Sequence, residues 1–121
     1  MMSLDHPNII KYRAFRESSD YIFIEMELCK GGSLSELIDR NGRFTELQVA
    51  SMMKQIFSAL HFIHEKGIVH RDIKPANILV ADKENLTLKI GDFGVSAMIE
   101  SNSDVKYCTA NAGTPIYMAP E

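Results

Sequence analysis

Apolar and polar positions alternate through Tyr21-Ile22-Phe23-Ile24-Glu25-Met26, and this period of two, in aromatic and branched residues, predicts a strand. It closes a longer stretch, residues 9–29, which reads as two extended runs around the polar turn Glu17-Ser18-Ser19-Asp20. Gly31-Gly32 then breaks the chain. Ser33 followed by Glu36 has the spacing of a capping box and predicts a short helix over "SLSELIDR". Thr45 and Gln48 repeat that spacing ahead of the longest element. From Glu46 to Lys66 the period changes: Val49, Met53, Ile56, Leu60 and Ile63 recur at steps of four and three. Those steps place the five residues on one apolar face of an amphipathic helix, ended by Gly67.

Two short apolar runs, 78–81 and 86–90, predict strands joined by the turn Asp82-Lys83-Glu84-Asn85. "GDFG" (91–94), a long polar segment and "GTPIYMAPE" (113–121) complete the chain. Strand pair, helices, strand pair and long loop, in that order, predict an α+β fold.

Composition narrows the function classes. At 121 residues, 45% apolar and 24% charged, the chain fits one globular domain. A net charge of −3 argues against a general nucleic-acid or anionic-membrane binder, so no nucleic acid and no membrane are expected as partners. No apolar run reaches transmembrane length, and the opening "MMSLDHPNII" lacks the apolar core of a signal peptide. Cys29 and Cys108 are too few and too far apart for a disulfide framework or a zinc site, which favours a reducing setting, cytoplasmic or nuclear. His61 and His64 lie three apart without a third ligand and read as surface residues.

The densest chemistry is "HRDIKPAN" (70–77), which holds a histidine, two cations, a carboxylate and a carboxamide. Four residues separate Asp72 from Asn77; Asp92 of Asp-Phe-Gly follows Asn77 by 15 positions, and the chain closes on Ala119-Pro120-Glu121. Singly these are turn residues with local hydrogen bonds. Together, in this order and spacing, they resemble the catalytic domain of eukaryotic protein kinases of the Ser/Thr type, over the whole chain. "GGSLSELI", "DIKPAN" and "GTPIYMAPE" look most like the MAP kinase kinase kinase-like group or the related mitotic kinases.

The resemblance implies ATP and Mg²⁺ as cofactors and Ser/Thr-bearing proteins as substrates. Asp72 is then the group that orients the attacking hydroxyl and accepts its proton. Lys74 stands against the transferred phosphoryl group, a position where tyrosine kinases usually carry another residue. Asn77 and Asp92 are hard oxygen ligands for Mg²⁺. Met26 guards the back of the adenine pocket, Glu27-Leu28-Cys29 form the hinge whose backbone reads the adenine ring, and Leu79 is the pocket floor. Met26 and Leu79, being apolar, also fit an ordinary core. Ser33 approaches the ribose. His70 and Phe93, with Tyr12 and Met1, resemble the stacked spine that joins the two lobes. Arg71 implies a switch in which an upstream activating kinase phosphorylates the activation segment. Thr109 is the expected phosphorylation site, with Ser101 and Ser103 behind it. Thr114 of the "GTP" loop is expected to bond Asp72 and Lys74. Neither Ser33 nor Ala76 is acidic, which argues against a strong preference for arginine in the substrate.

A whole kinase domain runs to roughly 250 residues. The sequence holds no G-x-G-x-x-G, no V-A-I-K lysine and no helix glutamate to pair with it. Residues 1–29 are expected to represent the small lobe and hinge, and 30–121 the first part of the large lobe as far as Ala-Pro-Glu. The expected function is transfer of the ATP γ-phosphoryl group to Ser/Thr hydroxyls, as part of a larger kinase domain. The alternatives are a truncated, catalytically inactive fragment acting as a protein-interaction module, and a gene fragment without function. The isolated 121-residue chain is expected to show no kinase activity.

Overall fold

The computed structural model describes residues 4–98 and 113–120. Strands β1 (Tyr12–Glu17) and β2 (Ile22–Met26) form an antiparallel hairpin with Phe15 opposite Ile24. Its turn is closed by Ser18 N donating to Tyr21 O at 2.8 Å. Helices α1 (Leu34–Asn41) and α2 (Glu46–Glu65) follow, then β3 (Ile68–Val69), a 3₁₀ turn (Pro75–Asn77), β4 (Ile78–Asp82), β5 (Thr87–Ile90), β6 (Ala97–Met98) and a second 3₁₀ turn (Pro115–Tyr117). Among the described residues the strands pair into three two-stranded sheets, β1-β2, β3-β6 and β4-β5, all antiparallel. The architecture is mixed α+β. No helix among the described residues is long and apolar enough to cross a membrane.

Both helices start where their side chains satisfy the free backbone N–H groups of the first turn. Ser33 Oγ accepts from Glu36 N at 3.2 Å, and Glu36 Oε2 accepts from Ser33 N at 3.1 Å. Thr45 Oγ1 and Gln48 repeat the exchange at 3.2 and 2.9 Å. Fixed at these ends, α2 lies across β4-β5. Ile78, Val80, Leu88 and Ile90 on one face of that hairpin pack with Met52, Ile56, Ala59 and Ile63 of α2, and Ile9, Leu34, Leu37 and Ile68 complete the core. Each large side chain buried in this way contributes about 1.5–3 kcal/mol. Residues 8–10 run parallel beside β5: Ile10 N donates to Ile90 O (2.9 Å) and Ile90 N to Asn8 O (2.8 Å). The Gln55 amide reaches the same strand from α2, with Nε2 donating to Leu86 O and Oε1 accepting from Leu88 N, both at 2.9 Å.

One expectation is corrected. The buried face of α2 is Met52-Ile56-Ala59-Ile63, whereas Val49 and Met53 are exposed. At 100° per residue the buried stripe is turned by roughly 50° from the one read in the sequence. Ala59 is small, and Gln55 belongs to the packing face because its amide is satisfied by β5. The strand expected from the alternation in residues 21–26 forms as β2, with every side chain exposed. A hairpin of two strands offers an inner face only if another element covers it. The β3-β6 ladder, two residues on each side, carries no sequence signal.

Candidate active site

The loop 70–77 is held at its first and last residues. His70 is buried; its Nε2 donates to Gly91 O at 2.8 Å and its Nδ1 accepts from Asp72 N at 3.3 Å, which assigns the ring proton to Nε2. The ring also meets Phe93 in a T-shaped contact at 4.8 Å, and Phe93 meets Tyr12 at 6.5 Å. At the other end the 3₁₀ turn is closed by Asn77 N to Lys74 O (3.0 Å), and Gly91 N donates to Asn77 O (2.9 Å). The loop and residues 91–93 are therefore bound to one another at two points. Arg71 sits at a φ of 67° with Nε donating to Val95 O.

Asp72 is the centre of a closed network. Oδ1 accepts from Thr114 Oγ1 at 2.7 Å; Oδ2 accepts from Lys74 Nζ and from Asn77 Nδ2, both at 2.8 Å. Lys74 Nζ also donates to Thr114 Oγ1 at 2.6 Å, and Asn77 Nδ2 to Asp72 O at 2.9 Å. The Lys74 ammonium, joined by the Thr114 hydroxyl, lowers the Asp72 pKa to about 2 from an ordinary 3.8; the Asn77 amide adds to this, against a smaller opposing effect of burial. The side chain is 11% exposed, so solvent still reaches this carboxylate. A depression of about 210 Å³ opens beside it, lined by Arg71, Asp72, Ile73, Thr114, Tyr117 and Met118.

A second cavity, about 390 Å³, lies on the other side of Asn77, between β2 and the β4-β5 hairpin; Met26, Asn77, Leu79 and Asp92 all line it, with Tyr12 and Phe93. Asn77 thus belongs to both the Asp72 network and the cavity wall. Its Nδ2 is committed to Asp72, and among the described residues no donor reaches its Oδ1. Asp92, at a φ of 55°, receives only a long contact from Gly94 N (3.4 Å) among the described residues. An amide oxygen and a carboxylate on one wall are hard donors of the kind that Mg²⁺ takes, with waters or phosphate oxygens filling its other positions.

Glu27, Cys29 and Ser33 do not line that cavity. Ser33 is the cap of α1, and its backbone bridges to Leu79. Gly31 allows the segment after β2 to lie on β4: Gly31 N donates to Val80 O (2.8 Å), Val80 N to Gly32 O (2.8 Å), and a Cβ at Gly31 would overlap the Val80 carbonyl. Thr109, Ser101 and Ser103 lie outside the described residues, as do Met1 and the terminal Glu121. Ile24 and Gly91 on the cavity wall, and Tyr117 and Met118 beside Asp72, were not singled out in the sequence as site residues, and Ala76, read there only for substrate preference, lines the cavity. Their apolar or small character marks them only as packing residues.

Similarity to known proteins agrees with this geometry. The protein kinase domain family matches residues 1–121. Calcium-dependent protein kinase 3 of Plasmodium yoelii yoelii is 45% identical over 123 residues, covering 100% of this chain and 22% of that relative. Calcium-dependent protein kinase 5 of Plasmodium falciparum is 43% identical over 122 residues (100% and 21%), and cytokinesis protein sepH of Aspergillus niger 43% over 121 residues (100% and 9%). Relatives with such different names at nearly equal identity single out no subgroup. The chain spans about a fifth of the length of the Plasmodium relatives. A family match along the entire chain, on a fold that brings Asp72, Lys74, Asn77 and Thr114 together, identifies this chain as a member of the protein kinase domain family, of the Ser/Thr type.

Proposed function

We propose that this chain supplies the phosphoryl-acceptor half of a Ser/Thr kinase active site, part of a larger domain that transfers the ATP γ-phosphoryl group to protein hydroxyls. The observation that carries the reading is Asn77, one residue shared by the Asp72 network and the cavity wall. Phosphoryl transfer needs a hydroxyl and a polyphosphate held in line, with little covalent chemistry from the protein. Asp72, ionised far below neutral pH, is a weak base; its task is to receive and aim the hydrogen of the acceptor hydroxyl. Lys74 brings a positive charge to the same point. Asn77 and Asp92 would hold Mg²⁺, which when bound neutralises charge on the ATP phosphates. Met26 and Leu79 offer apolar walls for the adenine; Glu27 and Cys29 follow Met26 outside the cavity lining, where their backbone would meet the edge of the ring. Thr114, fixed to both Asp72 and Lys74, keeps the acceptor loop at the right distance for a Ser or Thr side chain. Arg71 would pair with a phosphate added to the activation segment by an upstream kinase, with Thr109 its site. A cytoplasmic or nuclear setting fits these cofactors.

A second reading, a non-catalytic interaction module, draws on the exposed Phe15, Ile22, Phe23 and Phe57. A binding surface of that kind has no use for the Asp72 network. The test is transfer from γ-labelled ATP to Ser, Thr and Tyr versions of one peptide, using the protein that carries this chain as cells make it. Transfer to Ser or Thr, reduced about 10²- to 10⁴-fold by Asp72→Asn, is expected. Transfer unaffected by that substitution would sink the catalytic reading.

A further inference from the structure

We infer that Lys89 is a positioning residue for the purine end of the nucleotide, acting through the Glu27 side chain to hold the segment after β2 against the β4-β5 hairpin. This rests on the nucleotide reading above and adds a residue to it. The strand period is the starting point. Ile78, Val80, Leu88 and Ile90 face the core, so Leu79 and Lys89, directly opposite each other in the ladder, share the other face. Leu79 lines the nucleotide cavity on that face. Lys89 is thus a cation rising from a sheet surface on the same side, and its side chain is only 16% exposed. A charge so nearly buried requires a partner. It finds Glu27, whose Oε1 lies 2.8 Å from Lys89 Nζ and is itself 24% exposed.

Glu27 is joined to a third segment as well. The same Oε1 accepts from Lys11 N at 2.8 Å, while Glu27 N donates to Lys11 O at 2.9 Å. One carboxylate therefore gathers the residue before β1, the residue after β2 and the middle of β5. Burial pushes the Glu27 carboxyl up, but the Lys89 and Lys11 hydrogen bonds outweigh it and leave the pKa below its ordinary value. Beyond Lys89, β5 leads through Ile90 and Gly91 to Asp92. The ion pair thereby sets the position of the backbone of Glu27 to Cys29 relative to the strand that delivers the proposed metal ligand. Removing the lysine frees the segment after β2 from β5 and leaves a half-buried carboxylate with the Lys11 amide alone.

The test is calorimetric titration of the protein that carries this chain, as cells make it, with adenosine and with ADP, repeated for Lys89→Met, Lys89→Arg and Glu27→Gln. Lys89→Met keeps the aliphatic stem and should weaken adenosine and ADP by the same factor, about tenfold. Glu27→Gln should weaken both in the same way, and Lys89→Arg should return to within about twofold of the natural chain. The Cys29 amide resonance should shift on adding adenosine to the natural chain and to Lys89→Arg. If Lys89→Met does not fold, the comparison of Lys89→Arg with Glu27→Gln decides alone. Equal adenosine affinity in the natural chain and in Lys89→Met or Glu27→Gln overturns the positioning role and leaves the nucleotide reading intact. Weakening of ADP without adenosine also overturns it, since Lys89 would then act on phosphate. A natural chain that binds no adenosine overturns both.

Discussion

The two longer hairpins of this chain are built from similar residues and have opposite fates. β1-β2 offers Phe15, Ile22, Phe23 and Ile24, all exposed. β4-β5 offers Ile78, Val80, Leu88 and Ile90, all buried. Branched and aromatic side chains make each a strand, but what lies above the sheet decides whether it has an inner face. Over β4-β5 lies α2; over β1-β2 lies no element among the described residues. A strand pattern thus reports a capacity for burial, and the partner realises it.

That contrast predicts a graded set of effects. Ile90→Ala, in the covered hairpin, should lower stability by about 3 kcal/mol, read as a shifted urea midpoint with an unchanged slope. Ile24→Ala, in the open hairpin, should stay within about 0.5 kcal/mol. Similar costs would mean that β1-β2 is covered in solution. Gln55→Ala removes the side-chain bonds to Leu86 and Leu88 and should cost about 2 kcal/mol in the same assay. Thr45→Ala, at the exposed start of α2, should cost about 1 kcal/mol; no change would indicate that water replaces the cap.

The smallest effect sharpens the comparison at the site. The folded-state pKa of Asp72 is depressed, so the stability it contributes is fully present above an ordinary carboxyl pKa near 3.8 and is lost as pH falls towards about 2. Thr114→Val removes one of the two leading hydrogen bonds and should move the Asp72 titration upward. Its carboxyl carbon shift, followed through the acid range, checks both the starting value and the direction.

The sequence made the local features legible. Ser33 with Glu36 and Thr45 with Gln48 are each complete within four residues, and both capping boxes form. Both longer hairpins follow from their turns. The buried side of α2 was not legible, because Gln55 reads as polar until Leu86 and Leu88 are seen to receive it. At the site, Asp72, Lys74 and Asn77 fall within one short loop and declare themselves together. Thr114 lies 42 residues beyond Asp72, so its bond to that carboxylate was readable from the family resemblance and not from local spacing. Lys89 remained hidden, since a lysine in a strand ordinarily marks the face towards water.

Gln55 has one more consequence. Its amide donates to Leu86, the residue before β5, and accepts from Leu88, as a peptide unit of a neighbouring strand would. Asn8 adds a bond to Leu88 O, and the Asn8 and Ile10 backbones take up Ile90. The outer edge of β5 is therefore closed from Leu86 to Ile90, without a full strand beside it. Open strand edges are where foreign chains add and aggregation starts. In this molecule a helix side chain performs that protection, so the core hairpin stays a pair and cannot template a longer sheet on that side.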